Sequence, residues 1–262
     1  MRPDPVSFDL VAPAAEADLA VAQRTLPELV ADAIVQGIGA GRLKPGERLY
    51  EPNLCERLRV SRAPIREALR ILQVQGIVEG EPQRGLSVCL FDEKRRAEVY
   101  EIRHALERIS IPKAAARLRA EPEAAQSLKQ LIVEMDAIAA RGDRLAMNKL
   151  DLAFHGEICR IAGNEVLMNL WRGLARQVLI ILALETTSKL LLPAIRDQHV
   201  SLLATMHSGT QKELEKEITS HIAEPWSDGW PGTGSKKTSA TRPTRGGRKP
   251  KSTIEQKGGF HA

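Results

Sequence analysis

The stretch that decides the fold is Val60-Ser61-Arg62-Ala63-Pro64-Ile65-Arg66-Glu67-Ala68-Leu69-Arg70-Ile71-Leu72. Ser61 is a good N-cap residue, and Pro64 falls in the first turn, where backbone amides have no intrahelical partner to lose. At about 100° per residue, Ile65, Ala68, Leu69 and Leu72 share one face, and Arg62, Arg66 and Arg70 form a stripe beside it. The preceding segment, about 52–59, offers Leu54 and Leu58 to that apolar face. Two short helices, the second with arginines near its N-terminus, are what a helix-turn-helix places in the major groove. The planar guanidinium suits that task, because its fork pairs with a guanine edge or a phosphate through two hydrogen bonds. The same stripe would also serve as an ordinary solvated face, and spacing alone leaves both readings open.

Upstream, a helical pattern starts at Thr25, with Pro27 in its first turn and Leu29, Val30, Ala33 and Ile34 as its apolar stripe. It ends in the glycines of Gly37–Gly41 and the turn Lys44-Pro45-Gly46. Downstream, Gly76-Ile77-Val78-Glu79-Gly80 and Leu86-Ser87-Val88-Cys89-Leu90 flank Gln83-Arg84-Gly85. Two short apolar runs around a glycine-containing turn predict a β-hairpin, with Arg84 at its tip as a wing that reaches the DNA backbone or minor groove. After Asp92, segments at about 92–119, 122–141, 143–163, 165–190, 193–208 and 210–224 are rich in Ala, Leu and Ile at helical spacing. Breakers divide them, among them Gly142-Asp143, Gly163-Asn164 and Gly209-Thr210, and Pro112 predicts a kink in the first. The expected fold is mainly α: a winged helix-turn-helix over 25–91, then an all-helical antiparallel bundle over 92–224. Residues 1–24 read as a flexible arm, and 225–262, rich in Gly, Ser, Thr, Pro and Lys/Arg, as a disordered basic tail.

Composition narrows the class. The chain has 262 residues, 43% hydrophobic and only 3% aromatic. Its longest apolar run, Val178 to Leu184, is far short of the roughly 20 residues of a bilayer span. No basic region leads into an apolar segment at the start, and Cys55, Cys89 and Cys159 form neither a disulfide framework nor a CxxC pair. These features predict a soluble protein in the cytoplasm, with no membrane partner. The formal charge of +5 lies in the tail: eight Lys or Arg against Glu255 from Trp230 onward leave residues 1–229 at −2. The high basicity is therefore no property of the helical body.

A second constellation lies in the bundle. Asp151 and His155 are one turn apart, His199 lies on the segment after Pro193, and His221 ends the last helix. One Asp and three His from three helices would suit Zn²⁺, with Ni²⁺ or Mn²⁺ as alternatives, and would leave positions for water or a ligand. Histidines so far apart also occur as independent surface or core groups, and Cys159, one turn past His155, is either a softer ligand or, as its residue type favours, a small core residue. His155-Gly156-Glu157 matches the H-x-E of zinc deaminases, but the P-C-x-x-C half is absent. There is no HExxH, G-x-S-x-G, Walker loop or G-x-G-x-x-G. The expectation is a sensor and not an enzyme. A metal-dependent hydrolase fused to a DNA-binding module is the alternative.

The run LYEPNLCERLRVSRAPIREALRILQVQGIVEGEPQRGLSV (49–88), with GRLKPGERL (41–49) before it, resembles the winged helix-turn-helix of GntR-family transcription factors. Residues 92–224 are similar to the FCD ligand-binding domain of that family's FadR-like branch. The resemblance implies that Ser61, Arg62, Ala63, Arg66, Arg84 and Gly85 contact double-stranded operator DNA, read as an inverted repeat by a homodimer. It implies a divalent metal on Asp151, His155, His199 and His221. It further implies a small carboxylate effector, met in part by the metal and by Arg103 and Asn164. An ion pair with Glu107, one turn on, is the other reading of Arg103. Together these describe a ligand-responsive regulator, a repressor in the first instance. Two positions depart from the family pattern. Arg59 stands where the family has Gly at the turn, at about 1 kcal/mol if that turn needs positive φ, and Pro52 stands where Arg is frequent. The segment Glu107–Pro112 also differs in composition.

Overall fold

A computed structural model of the chain describes residues 25–81, 85–184 and 192–223. Arg84, the arm at 1–24 and the tail at 225–262 lie outside them. The element order is α1 (Leu26–Gly39), β1 (Arg48–Leu49), α2 (Glu51–Leu58), α3 (Arg62–Val74), β2 (Val78–Glu81), β3 (Gly85–Val88), α4 (Glu93–Ala120), α5 (Gln126–Arg141), α6 (Arg144–Ile161), α7 (Glu165–Leu184), α8 (Leu192–Ser208) and α9 (Gln211–Ala223). A 3-10 turn, Pro122–Ala125, leads into α5.

Several helices start where a side chain satisfies an open amide or carries the chain into the first turn. Thr25 N donates to Glu28 Oε2 at 2.9 Å before α1. Asp92, Asp143 and Asn164 each accept from the amide three residues on, at the starts of α4, α6 and α7. Ser61 holds the N-cap position of α3 in extended backbone but makes no side-chain capping bond. α4 runs through Pro112 as one helix of 28 residues. The hairpin is present and gains a third strand: the two residues of β1 pair antiparallel with β3, giving the order β1-β3-β2.

The helix-turn-helix packs as its periodicity demands. Ile65, Ala68, Leu69 and Leu72 are buried under α1 and α2, together with Ile34, Ile38 and Leu54. That core does not end at the wing. It continues into Leu167, Trp171, Leu174, Val178 and Ile181 of α7, while a second core gathers Ile111, Leu118, Leu128, Phe154, Leu202 and Ile218 of the remaining helices. Among the described residues α7 is the one helix apolar and long enough to cross a membrane by length and composition. It packs instead against α1, α4 and α6.

Polar ties cross the same junction. Arg176 Nε of α7 meets Asp32 Oδ1 of α1 at 2.8 Å, and its Nη1 meets Gln75 Oε1 at the end of α3 at 3.1 Å. Arg95 Nη2 of α4 donates to the Gly76 carbonyl at 2.8 Å and to Gln177 Oε1 at 2.9 Å. Gly76 has φ +65° and lies against the Arg95 guanidinium, so a side chain there would be strained and would push Arg95 off the Gly76 carbonyl.

Candidate functional site

The exposed side of α3 carries the arginine stripe. Ser61, Arg62, Ala63, Arg66 and Arg70 are all exposed, beside a buried apolar face. Arg59, the residue that closes α2, has φ 55° and ψ 42°, so the left-handed turn expected to favour glycine is present and filled by arginine. Gly85 opens β3 at φ +101°, and a Cβ there would lie 2.6 Å from Arg48 Nε. Glycine at the wing base therefore has a backbone cause, and a side chain there would also displace the Arg48 guanidinium.

In the bundle, α6 supplies Asp151 and His155, α8 supplies His199 and α9 supplies His221, all four buried. One ligand atom from each lies within 4.8 Å of every other. His155 Nε2 and His221 Nε2 are 3.1 Å apart, and His199 Nε2 is 3.3 Å from Asp151 Oδ1. Ligands about 2.1 Å from a shared ion, at tetrahedral or octahedral angles, stand about 3.0–3.4 Å from one another.

The surroundings fix which ring nitrogens bear protons. His155 Nδ1 lies 2.7 Å from Glu107 Oε2, and His199 Nδ1 lies 2.8 Å from the Ile195 carbonyl. Both oxygens can only accept, so in the neutral rings the proton is assigned to Nδ1 and the lone pair to Nε2. Both lone pairs then point into the cluster, toward Asp151 and His221. His199 Nε2 and His221 Nδ1 are buried with no hydrogen-bond partner. Burial lowers the affinity of His221 for a proton, and the neighbouring His155 and His199 lower it further. A pocket of converging acceptors is unfavourable by itself and is relieved by a cation.

Arg103 stands behind this cluster and not in open space. Its Nε donates to Glu107 Oε1 at 2.8 Å and its Nη2 lies 3.4 Å from Asp151 Oδ2. The ion pair with Glu107 is thus the arrangement present, and the guanidinium expected to meet an effector carboxylate already holds two carboxylates of this chain. Burial would raise the carboxyl of Glu107, but His155 and Arg103 outweigh it and bring the pKa to about 2. Asp151, opposed by burial and favoured by Arg103 and His199, is likewise held ionised. Asn164 has a local role: its Oδ1 caps α7 through the Leu167 amide at 3.1 Å. Cys159 is fully buried, its thiol pushed by burial up to about 12, as a core residue.

Three participants were not singled out as such from the sequence. Glu107 orients His155, the Ile195 carbonyl orients His199, and Trp171 packs its ring 6.0 Å from that of His155 and 5.9 Å from Arg103 Cζ. Glu107 had a signal, a carboxylate one turn after Arg103 on the helix's apolar side. A backbone carbonyl has none.

Comparison with known proteins agrees with both regions. Residues 26–88 match the model of bacterial regulatory proteins of the gntR family, and 98–224 match that of the FCD domain. A probable D-xylose utilization operon transcriptional repressor of Paenarthrobacter nicotinovorans is 31% identical over 76% of this chain and 86% of its own length. The chain belongs to the GntR family. The Nta operon transcriptional regulator of Aminobacter aminovorans is 26% identical over 68% of this chain and 82% of its own. Among solved structures, Escherichia coli McbR/YncC superposes with a TM-score of 0.63 at 20% identity, covering 77% of this chain and 95% of that one. This GntR member is a transcriptional regulator and not an enzyme; regulators of the family bind operator DNA.

Proposed function

We propose that this GntR regulator is a metabolite-responsive repressor that reads an inverted repeat as a homodimer. Ser61, Arg62, Ala63, Arg66, Arg84 and Gly85 face the operator, with α3 in the major groove and the wing beside it. Asp151, His155, His199 and His221 hold one divalent metal, Zn²⁺ first, and a small carboxylate effector occupies the positions these four leave open. The metal supplies Lewis-acid positions for the effector's oxygens. Glu107 and the Ile195 carbonyl keep two imidazoles in ligand form, and Arg103 keeps Glu107 and Asp151 ionised. Arg103 thus serves the effector through Asp151, with Asn164 fixing the α6–α7 corner.

The observation that carries this reading is the convergence of His155 Nε2, His199 Nε2, His221 and the Asp151 carboxylate in one buried cluster, with Glu107 and the Ile195 carbonyl behind the Nδ1 atoms of two of the rings. Such an arrangement has no use in a packed core. α7 supports the coupling of effector to operator. Trp171 touches the cluster, and Arg176, more than a turn later on the same helix, touches the end of α3. A coupling of about 1–3 kcal/mol through such an element changes operator affinity roughly 5- to 150-fold.

Elemental analysis tests the metal directly. Protein purified without chelators is expected to carry close to one transition metal per chain, and His199→Ala to carry none under the same conditions. A wild type free of metal, whose thermal midpoint does not move when Zn²⁺, Ni²⁺ or Mn²⁺ is added, removes the metal from the reading.

A further inference from the structure

The arginines of α3 are not held alike. Arg62 and Arg70 have no ion-pair partner among the described residues, whereas Arg66 Nε donates to Glu51 Oε2 at 2.9 Å. Glu51 is the first residue of α2, and Leu54, one turn later, lies in the same core as Ile65 and Leu69 of α3. The carboxylate therefore sits on a fixed backbone, across the helix-turn-helix from the arginine it holds. The bond uses Nε alone. The two terminal nitrogens, which form the fork that pairs with guanine O6 and N7, have no partner among the described residues. Arg66 remains 61% exposed, and Glu51 is 29% exposed.

Folding does not account for this pair, because exposed ion pairs contribute little to stability. Operator affinity does not account for it either, because a carboxylate beside the DNA-facing helix repels phosphates. What a tether on Nε supplies is direction. A free arginine facing a wrong base can swing to a nearby phosphate and recover much of its binding energy. A tethered arginine cannot, so its fork is left unpaired and the wrong base is rejected.

We propose that Glu51 is the positioning residue for Arg66, fixing its guanidinium plane so that the fork reads one base pair in each half-site. Arg62 and Arg70, untethered, then serve contacts that tolerate motion, such as phosphates. The inference rests on α3 being the operator-facing helix, and the experiment separates the failure of one from the failure of the other.

Full-length wild-type protein selects duplexes from a random library. The enriched inverted repeat and each of its single-base-pair variants are then titrated by fluorescence anisotropy at one salt concentration. The proteins compared are wild type, Glu51→Ala, Glu51→Gln, Arg66→Ala and the Glu51→Ala/Arg66→Ala double variant. Glu51→Ala is expected to bind unselected DNA more tightly, since a repelling charge is gone. Its discrimination at one base pair per half-site falls about three- to tenfold, the size of one side chain's lost ordering. Glu51→Gln removes the same charge but keeps an acceptor oxygen, so it retains part of that discrimination. In the Arg66→Ala background, removing Glu51 leaves discrimination unchanged. If Glu51→Ala shifts every duplex by one common factor, Glu51 acts only as a charge and the proposal fails. If Arg66→Ala discriminates as wild type does, or no repeat is enriched at all, the assignment of α3 to the operator fails, and the proposal with it.

Discussion

Two arginine–glutamate pairs in this chain have almost the same bond length and opposite consequences. Arg66 Nε–Glu51 Oε2 is 2.9 Å and Arg103 Nε–Glu107 Oε1 is 2.8 Å, but the side chains are 61% and 29% exposed in the first and 4% and 1% in the second. In the exposed pair the guanidinium keeps its outer fork for a partner from solution. In the buried pair both ends are taken, one by Glu107 and one by Asp151, and the arginine has become part of the wall. The lesson concerns what an arginine can do, and burial decides it: the same chemistry that makes guanidinium a ligand-reading group makes it a structural counter-ion once water is excluded.

The contrast is broken most directly at Arg103. In metal-free protein, Arg103→Met leaves Glu107 and Asp151 as buried carboxylates without their cation. The variant is expected to lose about 3–5 kcal/mol of stability in urea denaturation. A loss below about 1 kcal/mol would mean that the buried pair behaves as an exposed one, and the comparison would dissolve. Arg176–Asp32 supplies the intermediate case, 2.8 Å long with side chains 17% and 23% exposed at the α1–α7 junction. Arg176→Ala is expected to cost about 1–2 kcal/mol, between the exposed and buried limits. A cost equal to that of Arg103→Met would show that interdomain position, and not burial, sets the scale.

How much of this could be read from the sequence follows from the range of each interaction. The helix-turn-helix is local: a 3.6-residue period names its buried face, and Ile65, Ala68, Leu69 and Leu72 are buried as that period requires. The left-handed turn at Arg59 was visible as a departure from the family's glycine. The tether on Arg66 was not visible, because Glu51 is 15 residues upstream on another helix and nothing in its own surroundings marks it. The four residues of the cluster were legible as residue types, and Asp151 and His155 as neighbours, but the i, i+4 pair Arg103–Glu107 was open to two readings. Choosing between them requires knowing that α6 lies against α4. The shared core through α7 was equally hidden, since periodicity shows which face is apolar and not what covers it. β1, two residues long, is too short to have a period.

Arg59 calibrates the comparison from the other side, as an arginine fixed by its backbone and by no acid among the described residues. At φ 55° its Cβ crowds the following peptide, at a cost of about 1 kcal/mol or slightly more. Glycine relieves this but gains freedom in the unfolded chain, which returns about half of the benefit. Arg59→Gly is therefore expected to raise stability by only about 0.5 kcal/mol, read as a shift in the urea midpoint at constant slope. Arg59→Ala removes the same charge and keeps the strain, so its midpoint should not rise. If alanine stabilises as much as glycine does, the effect comes from relieving repulsion among the exposed arginines of this surface. Charge would then limit the stability of the reading head, and the tether at Glu51 would have to be credited with folding as well as with direction.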